Sequence, residues 1–196
     1  MLIEYDGHRP RVAAGAFVAP TAVLIGRVSV EARASIWYGA VLRADHGRVH
    51  IGKGSSIQDN AVVHAHHEED TLVGEGVTVG HGAVLEGCRV ERGAVIGIRA
   101  TVLPGAVIGE GALVAAGSVV PEKMQVPSRH VVAGVPAQLK KPLSDSALHW
   151  VEIAAPSYQV LAANYLRQGL GERLRRGRST PVTRRKRPLP TRRSRA

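Results

Sequence analysis

Aliphatic residues recur every six positions along most of this chain, and that period restricts the fold more than any other feature of the sequence. Val12, Val18, Leu24, Val30, Ile36 and Leu42 form one series. The series restarts as Ile51, Ile57, Val63 and again as Val73, Val79, Leu85. A last run reads Val84, Val90, Ile96, Val102, Ile108, Val114, Val120. A helix brings side chains back to one face every ~3.6 residues and an open strand every two, so neither explains a period of six. Short strands joined by tight turns do, with one aliphatic side chain of each hexapeptide pointing inward. Three hexapeptides close a triangular coil, and stacked coils bury columns of aliphatic side chains. Gly often follows the inward residue, as in Ile51-Gly52, Val73-Gly74, Val79-Gly80, Ile96-Gly97 and Ile108-Gly109. These glycines are expected to supply turn conformations that other residues resist. The fold expected over 1–137 is all-β, a left-handed parallel β-helix.

Composition agrees. Aromatic residues are 4% of the chain, with a single Phe, while Gly reaches 22. Ordinary cores draw much of their buried area from aromatic rings, and a prism of stacked Val, Ile, Leu and Ala does not need them. The formal charge of +10 belongs to one segment. Residues 172–196 hold eleven basic groups and one acidic group, whereas residues 1–171 hold fifteen of each. Overall basicity therefore carries no message about the folded surface. The one cysteine, Cys88, excludes an intrachain disulfide and reads as a small buried residue. No run approaches the roughly 18 apolar residues of a membrane span, and the start of the chain lacks the pattern of a signal peptide. A cytoplasmic protein is expected.

The period breaks in two places. Leu42 and Ile51 are nine residues apart, and Val63 and Val73 are ten apart. These insertions read as short loops, 43–50 and 64–72, leaving the prism at its edges. The register also slips by one residue around Val84 and Leu85. Past Val120 the chain leaves the coil as an extended Val132-Ala133-Gly134-Val135-Pro136-Ala137 segment. Over 138–170 a helical segment is expected, capped by Ser144, with Leu148, Val151, Ala155, Tyr158, Leu161 and Tyr165 along the prism. Pro156 should kink that helix or divide it in two. The Arg- and Pro-rich 171–196 tail is read as disordered. Its runs Arg184-Arg185-Lys186-Arg187 and Arg192-Arg193-Ser194-Arg195 suit nucleic acid or an acidic surface, or simply keep the protein soluble.

The candidate chemistry gathers at the breaks. His64, His66 and His67 cluster in the second, with His81 one coil further on. Asp59, Glu68, Glu69, Asp70 and Glu86 lie nearby in sequence. Histidine with carboxylate is a ligand set for Zn2+, Fe2+ or Co2+. Histidines in polar loops are also commonly just solvated, so spacing alone does not choose.

Three segments resemble the γ-class carbonic anhydrase family of hexapeptide-repeat proteins. They are Ser35-Ile36-Trp37-Tyr38-Gly39-Ala40-Val41-Leu42-Arg43-Ala44-Asp45, Gln58-Asp59-Asn60-Ala61-Val62-Val63-His64 and Val79-Gly80-His81-Gly82-Ala83-Val84-Leu85-Glu86-Gly87-Cys88. The likeness covers roughly residues 10–168. It implies a homotrimer in which three histidines from two subunits hold a metal, most simply Zn2+, that hydrates CO2 to bicarbonate. The matching positions here are His64, His81 and, five residues after His81, Glu86 in place of the third histidine. The resemblance further implies that Gln58 hydrogen-bonds the reacting water or substrate and that Asp59 orients its neighbours. Arg43 and Asp45 resemble a pair that bridges subunits, shaping the site or only holding the trimer. A carboxylate at Glu86 can ligate a metal, but its charge should weaken the metal as a Lewis acid and reduce or abolish hydration. His66 or His67 is a candidate replacement, and the Glu68-Glu69-Asp70 stretch a candidate proton shuttle. Two other functions use the same prism: an acyltransferase taking an acyl-CoA, with His81 as general base, and a trimeric scaffold without chemistry.

Overall fold

The computed structural model describes residues 1–67 and 69–171. Glu68 and the tail from 172 onward lie outside the described residues, so the readings of Glu68 and of the basic tail rest on sequence alone.

The chain winds into a left-handed parallel β-helix, closed by one C-terminal helix. Two sheets, of 12 and 8 strands, wrap the prism. The larger covers two faces, because the long strands Val23–Val30 and Val41–Ile51 turn a corner without breaking. Along the third face the inward residues pair coil on coil. Val18 lies beside Ile36, then follow Ile57, Val79, Ile96, Val114 and Val132. Successive members are 18, 21, 22, 17, 18 and 18 residues apart. Coils of three hexapeptides thus absorb three extra residues, then four, then lose one.

A second face stacks Leu24, Leu42, Val63, Leu85, Val102 and Val120 in the same way, and all six are fully buried. Two positions ahead of each stands Ala or Ser: Ala22, Ala40, Ala61, Ala83, Ala100 and Ser118, all buried. The prism corner has room for a methyl or hydroxymethyl group and little more. Hydrophobic burial of these columns, at roughly 25 cal/mol per Å2 of apolar surface, is what holds the coils together.

The structure corrects several expectations. Val84 does not point inward. It is half-buried, while Leu85 is fully buried and pairs with Val63 and Val102. The last run therefore starts at Leu85, five residues before Val90, and the slip is a deletion in the turn holding Gly87 and Cys88. The first insertion is not a loop. It lies within the strand Val41–Ile51, whose partner aligns Gly26 with Ala44 and Val28 with Val49. Three surplus residues thus bulge at the corner without breaking the ladder. The second insertion is loop only in its middle, since Val62–His64 and Thr71–Val73 are strands.

The glycines after inward residues serve a different purpose from the expected one. A Cβ on Gly97 would lie 2.5 Å from the Ala116 backbone nitrogen, and one on Gly52 would lie 2.5 Å from the Gly74 carbonyl. They are needed for close approach of successive coils. The left-handed turn residues are a separate set that recurs every six positions: Gly93, Arg99, Gly105, Gly111, Gly117, Lys123 and Arg129.

At the end of the coil the strands His130–Gly134 and Ala137–Pro142 form an antiparallel hairpin, so residues 138–142 are strand. The helix Asp145–Arg167 follows, with Ser144 as its N-cap, accepting from the Ala147 backbone N–H. It is continuous through Pro156. Pro156 is exposed and leaves the Glu152 carbonyl without its helical donor, and Ser157 Oγ donates to the Ile153 carbonyl at 2.8 Å. Val151, Ala154, Ala155 and Ala162 are the residues this helix buries, and Leu161 faces solvent. No helix among the described residues is long and apolar enough to cross a membrane.

Candidate functional site

Strand alternation dictates the site. Leu42, Val63 and Leu85 point inward on three successive coils, so the next residues, Arg43, His64 and Glu86, point outward in register. Register thus brings together residues far apart in sequence. His64 Nδ1 lies 3.0 Å from Glu86 Oε1, and His64 Nε2 lies 3.2 Å from Asp45 Oδ1. Asp45 in turn accepts from the Arg43 guanidinium within the same chain. Burial pushes the Asp45 carboxyl up, but the bonds from Arg43, its own backbone and His64 outweigh that and hold it below the usual carboxylate range. Thr71 Oγ1 donates to the His64 carbonyl and ties the strand after the loop to the strand before it.

His81 stands at a different edge, in the turn that precedes Leu85. Its Nδ1 lies 2.9 Å from Asp59 Oδ2, which orients the ring, and its Nε2 lies 3.4 Å from the Tyr158 hydroxyl. Gln58 is buried and hydrogen-bonds Tyr158. Burial, and then the charge of Asp59, raises the Tyr158 phenol above its ordinary range, with the Gln58 bond opposing. The phenol is therefore protonated throughout the neutral range. Tyr158 packs edge-on against Trp37, whose indole N–H reaches Ser35 and Ser56 Oγ at 3.0 Å each. A cleft of about 690 Å3 opens beside His81, between the prism and the helix. Ile98, Trp150 and Ile153 line it and are 52%, 51% and 44% exposed, unusual for large apolar groups gathered in one place.

The expected ligands thus stand in two separate places. His64 and Glu86 share one edge, and their facing atoms stand about as far apart as two donors on one divalent cation, given ~2.0–2.2 Å bonds. His81 is not with them. Among the described residues no three His, Cys, Asp or Glu side chains form a group that could hold a metal ion within one chain. The donor chemistry of His64 with Glu86 suits Zn2+, Fe2+ or Co2+. His67 stacks on His46 with ring centroids 3.8 Å apart, and His66 packs against Gly87. Asp70 is occupied by Arg48, which donates to it from Nε and Nη2 at 3.0 and 2.8 Å. Tyr158 is the site residue that sequence reasoning missed. Its helical spacing marked it only as a residue facing the prism, and nothing in the sequence pairs it with His81.

Cys88 is buried, and burial pushes its thiol up to about 12. The sign is that of an acid kept neutral: the folded state favours the thiol, so stability is unaffected below the unfolded value near 9.0 and falls as pH rises toward 12. Iodoacetamide at pH 8 should leave Cys88 unmodified in native protein and label it fully in guanidinium. Rapid labelling of native protein would contradict this placement.

A model of bacterial transferase hexapeptide repeats (six repeats) matches residues 87–122. The chain is 42% identical over 168 residues to carnitine operon protein CaiE of Salmonella newport (strain SL254), covering 86% of this chain and 84% of that protein. It is also 42% identical over 167 residues to gamma carbonic anhydrase 1, mitochondrial, of Arabidopsis thaliana, covering 82% of this chain. That alignment spans 61% of the plant protein's own length. Among solved structures, a hexapeptide transferase family protein from Anaplasma phagocytophilum superposes with a TM-score of 0.82 at 37% identity, covering 84% of this chain and 98% of that one. A putative acetyltransferase of Bacillus cereus superposes with a TM-score of 0.84 at 30% identity, over 86% and 98% of the two chains. Prism and repeat place the protein in the hexapeptide-repeat class. Within it, the chain belongs to the γ-carbonic-anhydrase-like family.

Proposed function

We propose that this protein is a cytoplasmic, metal-dependent hydratase of CO2 that works as a homotrimer, at a rate limited by Glu86. The observation that carries the reading is the division of the ligand set. His64 and Glu86 stand side by side at one edge of the prism, and His81 stands at another with its own orienting carboxylate. Threefold assembly would set the His64–Glu86 edge of one subunit against the His81 edge of the next and complete three sites. The exposed Ile98, Trp150 and Ile153 support such a neighbour, because it would cover them.

A divalent ion bound there, Zn2+ or else Fe2+ or Co2+, would polarise water for attack on CO2. The protein's own contribution is orientation. Asp59 fixes the His81 ring through Nδ1, as such second partners commonly do, and Nε2 faces the Tyr158 hydroxyl. Arg43 and Asp45 steady His64. Gln58, beside the protonated Tyr158, supplies a polar contact in the cleft next to His81.

Stopped-flow CO2 hydration by the full-length protein should be dependent on bound Zn2+ or Co2+ and be lost on chelation. Equal rates for metal-loaded and chelated protein would sink the reading. One observation favours a second reading. The His81–Asp59 dyad beside an apolar cleft also suits a general base of an acyltransferase, and a putative acetyltransferase is among the similar structures. Saturating acetyl-CoA should leave the melting temperature unchanged under the hydratase reading and raise it under the acyltransferase one. A stable trimer that shows neither response would be the scaffold.

A further inference from the structure

The N-terminal end of the prism carries a cleft that the hydratase reading does not use. It has a volume of about 1070 Å3, and no carboxylate lines it. Its floor is one outward column, since Arg11 pairs with Ser29, Ser29 with His50 and His50 with Leu72. Two residues upstream on each coil stands a second column: Arg9, Arg27, Arg48 and finally Asp70. Asp70 locks the lowest guanidinium, accepting from the Arg48 backbone N–H as well as from its side chain. Ser29 Oγ and His50 Nδ1 are 3.0 Å apart and fix each other. Arg9, Arg11 and Arg27 are exposed and have no carboxylate within ion-pair distance among the described residues.

Three uncompensated guanidinium groups lining one concave surface repel one another, and an anion in the cleft would relieve that repulsion. Planar guanidinium forks match phosphate oxygens two at a time, and a diphosphate carries enough oxygens and charge to engage several forks at once, as a single carboxylate does not. The volume is that of a site for a small organic ligand and far exceeds one phosphate group. We infer that this cleft binds a diphosphate ester of nucleotide size, with Arg9, Arg11 and Arg27 on its phosphates and Ser29 and His50 as the hydrogen-bonding floor. The inference is independent of the metal site, because none of these residues is among the expected ligands.

The test uses the full chain, with ADP and inorganic pyrophosphate as probes, by titration calorimetry at fixed ionic strength. Saturable binding is expected for ADP and should fall by about tenfold or more in Arg11→Glu/Arg27→Glu, since each charged hydrogen bond lost is worth about that factor. The milder pair Arg11→Gln/Arg27→Gln should show the same direction and serves if charge reversal perturbs folding. Pyrophosphate binding as tightly as ADP would support recognition through the phosphates alone, and tighter ADP binding would add a contact to the nucleoside. Binding unchanged in both variant pairs would place it outside this cleft and overturn the proposal, as would the absence of saturable binding by either probe.

Discussion

Replacing Glu86 by His should raise the rate of CO2 hydration at pH 7 by about tenfold or more, because each unit of pKa on the activated water is worth roughly that factor. Glu86 is in register with His64 and reaches to within 3.0 Å of its ring, so a histidine there would present its imidazole to the same point. The carboxylate cancels part of a divalent ion's charge, and a third neutral imidazole does not. The substitution also removes the Glu86–His64 contact, leaving His64 held by Asp45 alone on its other nitrogen. That loss should be small, because Glu86 is partly exposed and such pairs contribute little in water. The measurement is stopped-flow hydration of the two proteins loaded with the same metal. A rate in wild type equal to that of the variant would show that the carboxylate does not limit the chemistry.

The second large effect concerns the scaffold. Gly97→Ala should lower stability by about 3 kcal/mol, the upper part of the range for overpacking. The added methyl would meet the Ala116 nitrogen at 2.5 Å and the Val114 carbonyl oxygen at 2.7 Å, both backbone atoms of the next coil. Neither moves without opening the ladder between coils. Gly93→Ala is the control. Its Cβ meets nothing within 4 Å, and the cost is only that of a left-handed residue at φ +66, about 1 kcal/mol. Thermal melts should place the Gly97 variant well below the Gly93 variant, by about 4–8 °C for a chain of this size. Equal melting temperatures would mean that the coils can separate locally, contrary to the close approach described.

The contrast between these glycines shows where sequence reasoning reached and where it stopped. A period of six is visible in one dimension because each hexapeptide contributes one inward aliphatic residue, and Leu24 through Val120 did stack as that rhythm implies. Which glycine serves a turn and which serves close packing is not visible, since both follow the same rhythm and differ only in what the next coil brings near. The slip at Val84 and Leu85 was readable as an irregularity, but two adjacent aliphatics give no sign of which points inward. Pairing with Val63 and Val102 decides it. The site follows the same logic. His64, His81 and Glu86 were legible through resemblance to a known family. The Asp45–His64–Glu86 chain and the Tyr158–His81 contact depend on registers of about 20 and 77 residues, which no local pattern reports.

If one site is built from two subunits, the metal content of mixed trimers shows it. His64→Ala and His81→Ala homotrimers should each purify without stoichiometric metal. Co-expressed, the two chains form trimers in which a subunit retaining His64 adjoins one retaining His81 at a single interface. Mixed trimers, separated by differential tags and analysed by plasma emission, should carry one metal ion each. Metal-free mixed trimers would contradict the account, as would full occupancy in either parent variant.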